Sequence, residues 1–147
     1  MISIFHKHLA IAAVIALAAG PASADADPQT CSSATLSGSY IFSASGWSAA
    51  TGTWQPKAIV EFIRLNGDGT LSVLAGTVAN LAGNGAIIQF PPGGVGSYNL
   101  NAECAGTLAF VNGPSFNIVA SPNGKEAWMI QTNPNNVLQG TVLRLTK

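Results

Sequence analysis

One acid in this chain stands where an acid is costly. Glu61 falls inside Ala58-Ile59-Val60-Glu61-Phe62-Ile63, a run that is mostly apolar on both faces of any strand it forms. Turned inward, its carboxyl loses solvation and its pKa rises, unless Arg64 or Arg144 pairs with it. In an apolar cavity, with Tyr40 or Tyr98 beside it, such an acid is suited to cofactor-free general acid/base work. Turned outward, it pairs across strands with a Lys or Arg, the ordinary fate of a charged side chain. The outward arrangement is the expectation. Glu61 is therefore the weak candidate for catalysis, and the sequence offers no stronger one.

The remaining chemistry is defined by what is missing. The histidines are His6 and His8, both within the first 24 residues. A chain that has lost that segment has no imidazole, which excludes Ser-His-Asp and Cys-His catalysis and removes the commonest zinc ligand. Serines are plentiful, but none has a base to activate it. Asp68 sits in Asn66-Gly67-Asp68-Gly69, which lacks the further acids and the distal Glu of a calcium loop and reads as a turn. No metal and no cofactor is expected. The aromatic residues Tyr40, Phe42, Phe62, Tyr98 and Trp128 either fill a core or line a ligand cavity.

The elements that must hold these residues begin after an export signal. Lys7, between His6 and His8, precedes the apolar run Leu9 to Ala19; Gly20-Pro21 breaks it, and Ala22-Ser23-Ala24 supplies a small-residue cleavage pattern. The run is too short for a membrane span, which needs roughly 20 apolar residues. The expected division is a signal peptide over 1–24, an extension over 25–35 carrying Cys31, and a domain over 36–147. Cleavage after Ala24 leaves about 120 residues, enough for one domain with its own core. Export into the periplasm or medium makes a disulfide between Cys31 and Cys104 the natural reading of an even cysteine count. Closing a loop of about 70 residues stabilises by roughly 4 kcal/mol.

After cleavage, Lys57, Arg64, Lys125, Arg144 and Lys147 stand against Asp25, Asp27, Glu61, Asp68, Glu103 and Glu126. This near-neutral chain has no basic patch, so nucleic acid is not an expected partner. It has no cationic amphipathic stretch, so no membrane partner is expected after signal cleavage. Short apolar segments alternate with Gly, Pro and Asn clusters, the pattern of an all-β fold. Leu36 to Gly46 places Leu36, Tyr40, Phe42 and Ala44 on one face and serines on the other. Further strands are expected over 57–65, 70–81, 86–90, 95–102, 104–111, 116–120, 125–132 and 137–145. Tight turns fall at Asn66-Gly67-Asp68-Gly69, Gly83-Asn84-Gly85, Ser121-Pro122-Asn123-Gly124 and Asn133-Pro134-Asn135-Asn136. Sequential hairpins of this kind predict a small antiparallel up-and-down barrel of about eight strands, whose closure removes exposed edges.

Three stretches carry a resemblance: Gly38-Ser39-Tyr40, the segment from Gly96-Ser97-Tyr98 through Asn101-Ala102-Glu103-Cys104-Ala105-Gly106-Thr107, and Gly124-Lys125-Glu126 followed by Ile130-Gln131-Thr132-Asn133-Pro134. The chain resembles a group of small exported bacterial β-barrel proteins of uncharacterised function, with Leu100, Glu103 and Asn133 as mild departures. The resemblance implies a barrel and no activity. A looser similarity is to lipocalin and avidin-like barrels, in which a Gly-x-Trp on the first strand packs under a basic residue on the last. Gly38-Ser39-Tyr40 and Arg144 would take those parts here, with Tyr departing from Trp.

The expectation for function is a periplasmic or secreted barrel that binds a small apolar ligand. A cofactor-free cyclase or isomerase acting through Glu61 and a tyrosine is the second expectation, and a structural or surface homo-oligomer the third.

Overall fold

The computed structural model describes residues 30–49, 52–80 and 86–145. The export signal and the Gly83-Asn84-Gly85 turn lie outside them. A short 3-10 turn, Ser33–Thr35, precedes nine strands: β1 Ser37–Ser48, β2 Gln55–Asn66, β3 Thr70–Asn80, β4 Ala86–Phe90, β5 Val95–Leu100, β6 Ala105–Phe110, β7 Ser115–Ala120, β8 Glu126–Gln131 and β9 Asn136–Arg144. Each hydrogen-bonded neighbour pair is antiparallel. The order β2-β1-β9-β8-β7-β6-β5-β3, sealed by β2 on β3, closes eight strands into an up-and-down barrel, and β4 is an extra strand on the outer half of β3.

Period-two side chains decide what the barrel encloses. Tyr40, Phe42 and Ala44 of β1, Ile59, Ile63 and Leu65 of β2, Ala127 and Met129 of β8, and Leu138 and Val142 of β9 are buried. Phe42 meets Phe110 and Phe116 edge-on, each with ring centroids 5.3 Å apart, and this aromatic trio crosses the middle of the barrel.

The wall is uneven. β1 and β2 are 12 residues long and β3 is 11, whereas β5 to β8 have 6 each. β3 therefore outruns β5. Its first residues, Thr70 to Ser72, pair with β5, and Gly76 to Asn80 pair with β4. Between the two pairings the register with β2 shifts by one residue after Phe62, a β-bulge at Leu74. The tall side thus stands above a low side, leaving an oblique mouth.

The other end is shut. Cys31 is joined to Cys104, Cα to Cα 4.9 Å, and the Cys31 N–H donates to the Ala102 carbonyl at 3.2 Å. This draws residues 31–36 across the barrel end, with Leu36 fully buried as a plug. Two tyrosines and an arginine tie the plug down. The Tyr98 hydroxyl donates to the Leu36 carbonyl at 2.6 Å and accepts from the Gly67 N–H at 2.7 Å. The Tyr40 hydroxyl donates to the Gly124 carbonyl at 2.8 Å and accepts from Arg144 Nε at 2.9 Å. Arg144 also donates to the Ser37 carbonyl at 2.6 Å and lies over the Tyr40 ring, 5.3 Å from its centroid. Gly124 has φ +63°, and a Cβ there would collide with the Thr35 carbonyl, so the turn that receives the plug requires glycine.

Candidate functional site

The mouth contains a cavity of about 720 Å³, lined along its apolar sides by Ile59, Val73, Val78, Ile88, Val95 and Phe110. Phe110 rests on Phe42. Pockets of roughly 300–1,000 Å³ are the size that holds small molecules. The tall strands β2 and β3 provide one side, the extra strand β4 contributes Ile88, and the turns after β6 and β8 provide the opposite rim.

Glu61 faces this cavity, contrary to the outward orientation expected from its charge. The reason is the register of β2: Ile59 and Ile63, two residues to either side, are buried, so the same face carries Glu61. Room for the carboxyl comes from the neighbouring strand, where Glu61 pairs with Gly76; a Cβ on Gly76 would stand 2.8 Å from Glu61 Cγ. No arginine relieves the burial. Arg64 is exposed on the opposite face, and Arg144 is committed to the plug. Loss of solvation pushes the Glu61 carboxyl up to about 7 from its ordinary 4.5. Its Oε2 is buried with no hydrogen-bond partner. Lys57, on the same face nearer the rim, also lines the cavity, and burial lowers its ammonium from the usual range.

Two of the amides on the cavity wall, Gln131 and Asn136, carry oxygens without a partner. Gln131 ends β8, is 8% exposed, and donates from Nε2 to Asn133 Oδ1 at 3.0 Å. Asn133 Oδ1 also accepts from the Ser115 N–H at 2.7 Å, which fixes it as the acceptor and so orients Gln131. Asn136 donates from Nδ2 to the Pro134 carbonyl at 2.8 Å. With their NH₂ groups engaged, Gln131 Oε1 and Asn136 Oδ1 are left buried and unpartnered.

None of the five aromatic candidates lines this cavity. Tyr40 and Tyr98 are buried at the closed end, where their hydroxyls serve backbone groups; burial raises both phenols. Phe42 lies beneath the floor. Phe62 and Trp128 have outward parity on their strands. Trp128 is 50% exposed because its neighbours Ala127 and Met129 take the interior, and it borders a shallow outer groove over Gly140. Asp68 closes a turn, accepting from the Thr70 N–H at 2.9 Å and hydroxyl at 2.7 Å, which lowers its pKa. Lys57, Gln131 and Asn136 were missed by sequence reasoning. Only Gln131 carried a signal: it is the polar residue in the inward series Ala127, Met129, Gln131.

The fold and site define a closed eight-strand antiparallel barrel, plugged at one end by a disulfide-held segment and open at the other onto a mostly apolar cavity with one buried acid. No family model matches this chain, and no curated protein or solved structure matches it.

Proposed function

We propose that this protein is an exported binding barrel that takes a small, mainly apolar molecule into its mouth. The observation that carries the reading is the cavity itself, about 720 Å³ with aliphatic walls and an aromatic floor. The disulfide suits an oxidising compartment, in keeping with the export signal and with the resemblance to small exported barrels. The Arg144 and Tyr40 packing is in keeping with the looser lipocalin-like similarity. Native mass spectrometry of the protein purified from its own host's periplasm or medium tests the binding reading. A bound small molecule is expected on the wild type and absent from Val78→Trp, which fills the cavity. An apo mass in both, together with no uptake of an apolar dye by the wild type, refutes it.

One observation favours a second reading, proton transfer on the bound molecule: a cavity acid poised near pH 7 suits a general base. The tyrosine half of that idea lacks support, since both hydroxyls are engaged at the closed end. Incubating the complex in D₂O distinguishes the readings. Exchange of a carbon-bound proton of the ligand that stops in Glu61→Gln supports catalysis; no exchange leaves binding alone.

A further inference from the structure

Three buried oxygens on residues that line the cavity have no hydrogen-bond partner: Glu61 Oε2 on β2, Gln131 Oε1 on β8 and Asn136 Oδ1 on β9. A buried acceptor left unpaired costs about 1–3 kcal/mol, so such atoms mark places where something else binds. The bias is one-sided. Each amide has its donor group fixed on the protein, and a carboxylate has none. Ser48, the register partner of Asn136, has a buried, unengaged hydroxyl that can serve Asn136. Glu61 Oε2 and Gln131 Oε1 are buried without a hydrogen-bond partner. Lys57 is the other charged group on the wall. It lies four residues from Glu61 along β2, about 13 Å of strand, and therefore sits toward the rim rather than over the carboxyl.

Resting on the binding reading above, we propose that the ligand carries a primary amine at one end of an apolar body, with the amine seated on Glu61. An ammonium brings three donors and no acceptor, which is the complement of this wall. An alcohol brings one donor and no charge to set against the carboxylate. A carboxylate adds a second negative charge beside the buried acid. The apolar body lies against Ile59, Val73, Val78 and Phe110, whose aliphatic and aromatic surfaces give area without direction, so the polar end sets the orientation. Gly76 completes the seat by leaving the space through which the Glu61 side chain reaches inward.

The test titrates octylamine, octan-1-ol and octanoate into the signal-free protein by calorimetry at pH 8, where Glu61 is ionised and Lys57 is the other titratable group on the wall. Octylamine is expected to bind about tenfold or more tighter than octan-1-ol, about 1.4 kcal/mol, with octanoate weakest. Glu61→Gln is expected to reduce octylamine affinity about tenfold and to change octan-1-ol by under about threefold, as loss of a charge-assisted hydrogen bond requires. Glu61→Asp, which withdraws the carboxylate by one methylene, is expected to fall between the two and serves if the amide variant does not fold. Equal affinity for the three probes overturns the amine assignment and leaves apolar binding standing, with water serving the acceptors. Octanoate binding tightest also overturns it, and points to Lys57. Binding of none overturns both readings.

Discussion

Replacing Glu61 by Gln changes how stability depends on pH, and the direction follows from the cavity. Burial raises the carboxyl from 4.5 to about 7, so the folded state holds its proton more tightly than the unfolded chain does. Below pH 4.5 both states are protonated and the group contributes nothing. As pH rises from 4.5 to 7 the unfolded chain gives up its proton while the fold retains it, and stability declines. Above pH 7 the fold has ionised too, and the penalty is complete. Carried over in full, this difference is about 3.4 kcal/mol. The carboxyl lies in an open mouth, where solvent screens it, and about 1–2 kcal/mol is the reasonable size. Ligand-free Glu61→Gln should therefore exceed the wild type by about 1–2 kcal/mol at pH 8 and match it within about 0.5 kcal/mol at pH 4. For a domain of this length that corresponds to roughly 3–8 °C in Tm. Guanidinium melts of both proteins across this range, disulfide intact, provide the measurement. Asp68, its pKa lowered from the ordinary 3.8, titrates below this window, and it does so in both proteins and cancels in the difference. A variant gain that is the same at pH 4 and pH 8, or larger at pH 4, would show that the wild-type carboxyl is not desolvated, and the account of the cavity would fail.

Three further outcomes are expected. Gly76→Ala should cost about 1–3 kcal/mol in stability, because the new Cβ would stand 2.8 Å from Glu61 Cγ, near the root of that side chain, and should weaken octylamine binding severalfold by displacing the carboxyl; calorimetry and melts on the same sample check both halves. The double replacement of Cys31 and Cys104 by Ser should lower stability by about 2–4 kcal/mol, seen as an earlier guanidinium midpoint, and should increase proteolysis near residues 31–36. Tyr98→Phe removes the donor to the Leu36 carbonyl and the acceptor for the Gly67 N–H, and should cost about 1–3 kcal/mol with no change in ligand affinity, since the hydroxyl lies at the end away from the cavity.

The architecture was readable because local signals agreed. Serine alternation in β1, the Asn66-Gly67-Asp68-Gly69 turn and the proline-asparagine turns near 122 and 134 each point to antiparallel hairpins, and the observed strands begin or end within a few residues of the expected ones. The disulfide followed from cysteine count and compartment. The site was not readable, for two reasons. Parity along one strand does not say which face closes inward until the neighbouring strands are placed, so Trp128 and Phe62 were counted as candidate wall residues although they face outward. And the cavity depends on the unequal heights of β1–β3 and β5–β8, a property of nine strands together. Glu61 was recognised as unusual from its apolar neighbours, but its inward orientation depends on Gly76, which is distant in sequence and adjacent only across the β2–β3 register.

The plug has a practical consequence for handling the molecule. β1 leaves the shut end and β9 returns to it, so the described chain starts and finishes on the side away from the mouth. A tag, a surface linkage or a fusion partner joined directly at residue 30 or at residue 145 therefore starts on the side away from the opening. Anchored that way, every copy presents its cavity outward, and binding can be read on an immobilised layer as directly as in solution.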